Sequence, residues 1–247
     1  MLLCHLMEFP DKWWYSTIHF PDRYSRQIGE IGWLSMSQTT WKTMGTTWRG
    51  LIQYSTSIHW HGIILEHNGA NDGVPGITQC TNSSKLKLMS GPIPPGHSFT
   101  YRFRATRYGT TWYHSHFSLQ YSEGLLGPFI INGPTIENWD IDLGTVLLQD
   151  WYHTPVFQVW FTELQHPPVP ADTGLINGKN KNRSIVEYSE FVFIPGKKHR
   201  LRVINTSTDG HFKFSIDHHT MTVQAADFVA IRPYAQTVLN VAIGNRK

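Results

Sequence analysis

The chain has 247 residues, 40% of them hydrophobic and 16% charged, with a formal net charge of +3. This length holds one large or two modest domains, and the balance of apolar and charged residues is that of a packed globular protein rather than a disordered one. A small charge without a run of lysines or arginines excludes a nucleic-acid footprint, and no stretch is long and apolar enough to span a membrane.

In chain order, Met1 to Met7 is an apolar stretch too short, and followed too soon by Glu8 and Asp11, to act as a secretory signal, so the start gives no address. Beyond it, many aromatic, glycine and proline residues surround short β-branched runs, which predicts an all-β architecture with little helix. A strand is expected over Ile58–Leu65, turns over Asn68–Gly76 and Pro92–Gly96, and a strand over Ser98–Arg104 with Phe99, Tyr101 and Phe103 on its buried face. Tyr108–His116 and Gly127–Asn132 follow as strands, and Gly133-Pro134 is the best domain boundary. The second region opens with a strand over Gly144–Trp151 and crosses a proline-rich loop at His166–Pro170. Further strands are expected at Leu175–Gly178, Phe191–Ile194, His199–Asn205, His211–Ile216, Met221–Ala225 and Thr237–Ile243. Regularly spaced short strands mean a sandwich or barrel. Lys197, Lys198, His199, Arg200 and Arg202 are expected on the solvated face of a strand. Cys4 and Cys80 make neither a disulfide framework nor a Cys-X-X-Cys site.

Two short pairs, His59-Trp60-His61 and His114-Ser115-His116, carry the chemistry. Side chains alternate along a strand, so residues at i and i+2 point the same way and each pair presents two imidazoles to one place. One such pair recurs by chance on half-buried strands; two, both flanked by aromatic and glycine residues, predict a centre able to hold more than one metal ion. Imidazole suits zinc, copper, iron and nickel alike, so donor type does not name the metal. A zinc hydrolase is disfavoured, because no glutamate stands at helical spacing from these histidines as in zincins.

Ser57-Ile58-His59-Trp60-His61-Gly62, Asp72-Gly73-Val74-Pro75-Gly76-Ile77-Thr78-Gln79-Cys80 and Tyr108-Gly109-Thr110-Thr111-Trp112-Tyr113-His114-Ser115-His116-Phe117-Ser118 resemble first-domain motifs of the multicopper oxidases, specifically the fungal laccases. Leu175-Ile176-Asn177-Gly178, Arg200-Leu201-Arg202-Val203-Ile204-Asn205-Thr206 and Ala226-Asp227 resemble the second domain of the ascomycete-type enzymes, so the likeness runs from about Thr56 to Arg246. The resemblance implies cupredoxin-like Greek-key β-sandwich domains: a first plastocyanin-like domain over residues 56–133, nearly complete, and a second over 134–247, incomplete at its C-terminus, with the third missing. It implies a copper oxidoreductase, benzenediol:oxygen oxidoreductase, which takes single electrons from phenols at a type 1 copper and reduces dioxygen to water at a trinuclear cluster. By motif position His59 corresponds to a type 2 ligand, and His61, His114 and His116 to type 3 ligands. Asp72 falls where the family has an acid suited to relaying protons, and equally where a turn cap is expected. Asp209 matches the acid at the phenol pocket, where a carboxylate could accept the phenolic proton; a merely solvated loop position is the other reading. Phenols and dioxygen are the implied partners, with no nucleic acid or membrane. Members are mostly secreted glycoproteins and usually monomeric, and their donors include lignin and melanin precursors.

The departures matter as much. The likeness implies that the final strand of the second domain continues past Gly244-Asn245-Arg246-Lys247 into a third domain with four more histidines, the type 1 cysteine and a His-Cys-His motif; that motif occurs nowhere in these residues. Half of the trinuclear ligands and no type 1 site are therefore expected here. Two readings stay open: a laccase by family whose chain as written does not turn over, and a non-enzymatic copper-binding fragment. Cys80 matches a family cysteine whose disulfide partner lies in the missing part. Residues 81–91 are an insertion, so its sequon Asn82-Ser83-Ser84 is discounted; Asn182-Arg183-Ser184 is the better surface candidate, and Asn205-Thr206-Ser207 is expected to be packed at a strand end. Back-translated two nucleotides out of frame, Met36 to Gly45 can encode the laccase residues expected just before Ser57. The same offset lets Phe20 to Trp33 encode a Phe-Pro-Gly-Pro motif of the family. Residues 18–45 are thus expected to be a laccase first strand in the wrong frame. Residues 1–55 are accordingly set aside as a gene-model artefact, never patterned for this sandwich.

Overall fold

The structure is a computed structural model, and it describes residues 8–9, 12–13, 33–36, 55–79, 91–93, 99–180 and 188–247. Cys4, Cys80, Asn82, Asn182 and, apart from Trp33–Met36, the out-of-frame segment lie outside the described residues. The chain divides into two compact units, residues 1–107 with 113–127, and residues 108–112 with 128–247.

Strands β1 (Glu8–Phe9) and β2 (Lys12–Trp13) pair antiparallel, as do β3 (Trp33–Met36) and, later in the chain, Tyr101–Arg104. β4 (Ile58–Trp60) comes between them in sequence, and Tyr101–Arg104 is β5. The expected alternation holds in β5: Tyr101 and Phe103 are 2% and 0% exposed, whereas Arg102 and Arg104 face solvent. β4 joins β6 (Gly109–Ser115) and β7 (Leu126–Ile131) in a three-stranded sheet with β6 in the middle. In the first unit Trp60 packs edge-on to Tyr101 and against Phe103 and Tyr113, ring centroids 5.3–6.1 Å apart. These rings explain why so aromatic a sequence folds tightly around the first histidine pair.

The second unit carries β8 (Ile141–Trp151), helix α1 (Val156–Glu163), β9 (Thr173–Ile176), β10 (His199–Asn205), β11 (Phe212–Ser215), β12 (Met221–Ala226), β13 (Val229–Gln236) and β14 (Val238–Val241). β8 lies between β10, which runs parallel to it, and antiparallel β9; β11 pairs with β14 and β12 with β13, both antiparallel. Val146, Leu148, Val203, Val223, Leu239 and Val241 form the core.

The all-β expectation is met, with one short α-helix among the described residues. Several local expectations are not. β4 stops at Trp60 rather than Leu65, because Gly62, at φ +76°, sits in a turn closed by the Ile63 N–H to the Trp60 carbonyl oxygen, 3.1 Å. Phe191–Ile194 forms no strand and leaves its apolar side chains largely exposed. Arg202 is not solvated but 8% exposed, its charge met by Asp142 at 3.1 Å and its guanidinium also donating to the Thr110 hydroxyl. Asn205 is packed as expected: its amide donates to the carbonyl oxygens of Gly210 and Val241 and accepts from the Ser207 N–H.

Candidate metal centre

The antiparallel register of β4 and β6 sets Ile58 opposite Ser115, His59 opposite His114 and Trp60 opposite Tyr113. Directly opposed residues on one face lie within side-chain reach, so the register sets His59 beside His114 and brings the two histidine-bearing segments to one place. His61 and His116 sit just past the ends of their strands, His61 in the Gly62 turn and His116 held by its N–H to the Ser57 carbonyl oxygen, 3.1 Å. Ring centroids of His59 lie 6.2, 5.3 and 5.5 Å from those of His61, His114 and His116. His61 and His114 are 5.7 Å apart, and His114 and His116 stack at 6.1 Å. One donor atom from each of His59, His61 and His114 lies within 4.8 Å of the others, the one such group of three among the described residues. The tyrosine ring of Tyr121 flanks His114 at 5.3 Å.

Backbone carbonyls orient two of the rings. His59 Nδ1 lies 2.8 Å from the Asp72 carbonyl oxygen, and His114 Nδ1 lies 2.9 Å from that of Ser115. A carbonyl only accepts, so each Nδ1 carries the hydrogen and each Nε2 is left with its lone pair, the tautomer a metal ligand needs. Burial pushes His114 down to about 3, and the charges His59, His61 and His116 would carry add to this against the opposing bond to Ser115. It is therefore a neutral donor throughout the physiological range. Converging imidazoles, two of them with Nδ1 held by a carbonyl and Nε2 left as donor, fit a first-row transition ion.

The Asp72 carboxylate stands 3.4 Å from His59 Nδ1, so the structure brings this acid to the centre. It does so through the expected turn: Asp72 closes a single 3-10 turn at Gly69–Asn71 by its N–H to the Gly69 carbonyl oxygen, 2.9 Å. Asp209 belongs to the second unit, exposed on the loop after β10.

Residues that the sequence left unmarked support the histidine pairs. The Tyr101 hydroxyl accepts the Ile58 N–H at 2.8 Å and donates to Gln79 Oε1 at 2.6 Å; burial raises its phenol well above the ordinary value, so it stays protonated. Gln120 touches both histidine-bearing segments, through Thr56 and Ser115. Only their proximity in sequence to the His-X-His pairs could have drawn attention to Thr56, Ser115 and Gln120.

A strand-built scaffold that brings four imidazole rings together, three of them with donor atoms within 4.8 Å of one another, is one that could hold a metal ion. A sequence profile described as multicopper oxidase matches residues 50–136, and a second of the same description matches residues 142–247. The chain belongs to the multicopper oxidase family. Among curated relatives it is 48% identical over 196 residues to Laccase-1 of Botryotinia fuckeliana, covering 79% of this chain and 33% of that one. It is 46% identical over 203 residues to dihydrogeodin oxidase of Aspergillus terreus, covering 77% and 32%. The laccase of Botrytis aclada superposes with a TM-score of 0.68 at 45% identity, covering 79% of this chain and 36% of that one. Fet3p, a multicopper oxidase that functions in iron import, superposes with a TM-score of 0.71 at 22% identity, covering 94% and 43%, a likeness of fold. The fold is thus cupredoxin-like, and the chain spans about a third of the length of the curated relatives it matches.

Proposed function

We propose that the four histidines hold copper as one side of a trinuclear centre, His59 at the type 2 ion and His61, His114 and His116 at the type 3 pair, in a laccase-type oxidase of phenols and diphenols. The observation that carries this reading is the convergence of three imidazole donors within 4.8 Å, with the fourth ring alongside. Copper there supplies the one-electron chemistry that couples phenol oxidation to reduction of dioxygen to water. The chain's own residues orient the ligands and handle protons. The carbonyls of Asp72 and Ser115 fix the tautomers of His59 and His114. The Asp72 carboxylate can hold a proton within reach of the centre and pass it on as oxygen is reduced.

Asp209 is proposed to accept the phenolic proton as the electron leaves. Its loop is fixed beneath it: the buried Asp150 carboxylate accepts the N–H groups of Thr208, Asp209 and Gly210, each at 2.8 Å. Residues 56–133 and 134–247 are read as two plastocyanin-like domains, which the two profile matches support. Extracellular location and a monomeric state are part of the same proposal. Because no His-Cys-His motif occurs in the 247 residues, this polypeptide alone is expected to bind copper without sustained turnover.

Copper titration followed by electron paramagnetic resonance, together with oxygen uptake on 2,6-dimethoxyphenol, tests this. Copper bound through imidazole nitrogen, lost in His61→Ala and His114→Ala, is the expected result. A chain that takes up no copper overturns the metal reading; rapid oxygen uptake without an added partner overturns the lack of turnover.

A further inference from the structure

The two segments that bring the histidines are joined by a buried polar cluster with Gln120 at its hub. The Gln120 side chain is 4% exposed and uses both ends. Its Oε1 accepts the hydroxyls of Thr56 at 2.9 Å and Ser115 at 2.7 Å, and its Nε2 donates to the Ser55 carbonyl oxygen at 2.9 Å. Thr56 and Ser115 are each 1% exposed, and their hydroxyl oxygens are 3.4 Å apart. Thr56 is three residues before His59, and Ser115 separates His114 from His116.

Each arm of this hub leads to a ligand. Ser115 carries the carbonyl that orients His114, and its hydroxyl also accepts the Phe117 N–H at 3.1 Å, which shapes the chain just after His116. On the other arm, Thr56 is anchored by paired backbone bonds to Ile93, and the next residue, Ser57, supplies the carbonyl that holds the His116 N–H. Gln120 itself sits in the turns after His116, where its backbone carbonyl takes the Leu125 N–H at 3.2 Å. A hydrogen-bonded polar network in a low-dielectric interior is stiff, and removing its hub takes the shared acceptor from two buried hydroxyls.

We propose that Gln120 is a positioning residue of the metal centre: its carboxamide clamps the segment bearing His59 and His61 to the segment bearing His114 and His116, and so sets the spacing between the two pairs. This rests on the reading of the histidines as copper ligands. Partners behind metal-binding histidines commonly change affinity by 10- to 100-fold when removed, without themselves touching the ion.

The test uses the full chain with Cu(II) alone. Gln120→Met keeps the length and packing of the side chain and loses all three hydrogen bonds. It is expected to weaken Cu(II) binding roughly tenfold or more in a chelator-competition titration, and to alter the nitrogen hyperfine pattern in the paramagnetic resonance spectrum. Gln120→Glu, which keeps the acceptor for both hydroxyls but replaces the donor to the Ser55 carbonyl oxygen by an acceptor, is expected to recover only part of the affinity, and more of it at low pH, where a protonated carboxyl can donate to that carbonyl. Should Gln120→Met fail to fold, Thr56→Val decides the matter by removing one arm at constant shape, with a several-fold loss expected. A wild-type chain that binds copper alongside a folded Gln120→Met, or in its place Thr56→Val, of unchanged affinity and spectrum overturns the clamp alone. A wild-type chain that binds no copper overturns the ligand reading and the clamp with it.

Discussion

At Gly73 the backbone takes φ +81°, and a Cβ placed there would overlap the carbonyl group of Ile58. A left-handed φ and a steric overlap are separate costs, and no side chain escapes either. Gly73→Ala is therefore expected to destabilise the protein by about 2–4 kcal/mol in urea unfolding, and to weaken copper binding because the neighbouring Asp72 carbonyl no longer orients His59. Asp72→Asn separates the two roles of its residue. The carbonyl that holds His59 belongs to the backbone and survives, so copper affinity should change by no more than a few fold, whereas the ionisable proton carrier is gone. A large loss of affinity would mean that the carboxylate, not the turn, supports the ligand. At this scale the sequence was most legible: His-X-His spacing found all four imidazoles. The glutamine, threonine and serine behind them were not legible, because hydroxyl and amide residues carry no periodic signature and Thr56 meets Gln120 only across 64 residues of chain.

Between elements, the clearest electrostatic tie joins parallel neighbours β8 and β10. Asp142 takes the guanidinium groups of Arg200 and Arg202, while its other oxygen accepts the Gly144 N–H at 2.9 Å; Arg200 also lies over the Trp139 ring at 3.9 Å. Burial pushes the Asp142 carboxyl up, but the Arg200 bond, the Gly144 N–H and the two positive charges outweigh it and hold the group below its ordinary value. A carboxyl that binds its proton less readily when folded adds stability above its unfolded value and loses it as the pH falls through that value and below. Urea midpoints should accordingly drop as the pH falls below about 4. Asp142→Asn should remove that part of the acid sensitivity and cost roughly 2–3 kcal/mol at neutral pH, since Arg202 is left buried with its charge unmet. A variant with the wild-type acid profile would show that the tie carries no linkage. The alternation of β10 is legible in the sequence, but its arginines read as solvated, because a charge partner 60 residues away leaves no local mark. β13 is illegible for a related reason: Pro233 and mostly exposed residues break the buried alternation, and the β12–β13 turn uses Asp227 and Phe228 at φ +48° and +69° where glycine or asparagine would have announced it.

For the whole molecule, all four histidines of the proposed centre belong to the first unit, and the second has its own core around Val146, Val203 and Val241. The likeness that named the family came from motifs, which local chemistry fixes residue by residue; how the chain divides into units depends on distant packing that motifs do not encode. A ligand stabilises only those states that keep its site intact, by RT ln(1 + [L]/Kd), which is about 2.7 kcal/mol at one hundred times Kd. Amides whose exchange requires opening of β4 or of Tyr113–Ser115 should therefore slow by up to about a hundredfold when Cu(II) is added at that excess. Amides of β8, β11 and β14 exchange through opening of a core that contains no ligand, and they should keep their metal-free rates if the two units open separately. Exchange measured with and without Cu(II), with His61→Ala as the unliganded control, distinguishes the cases. Equal slowing in both units would show that they open as one cooperative body. Slowing confined to the second unit would place the copper away from the histidine pairs and refute the site itself.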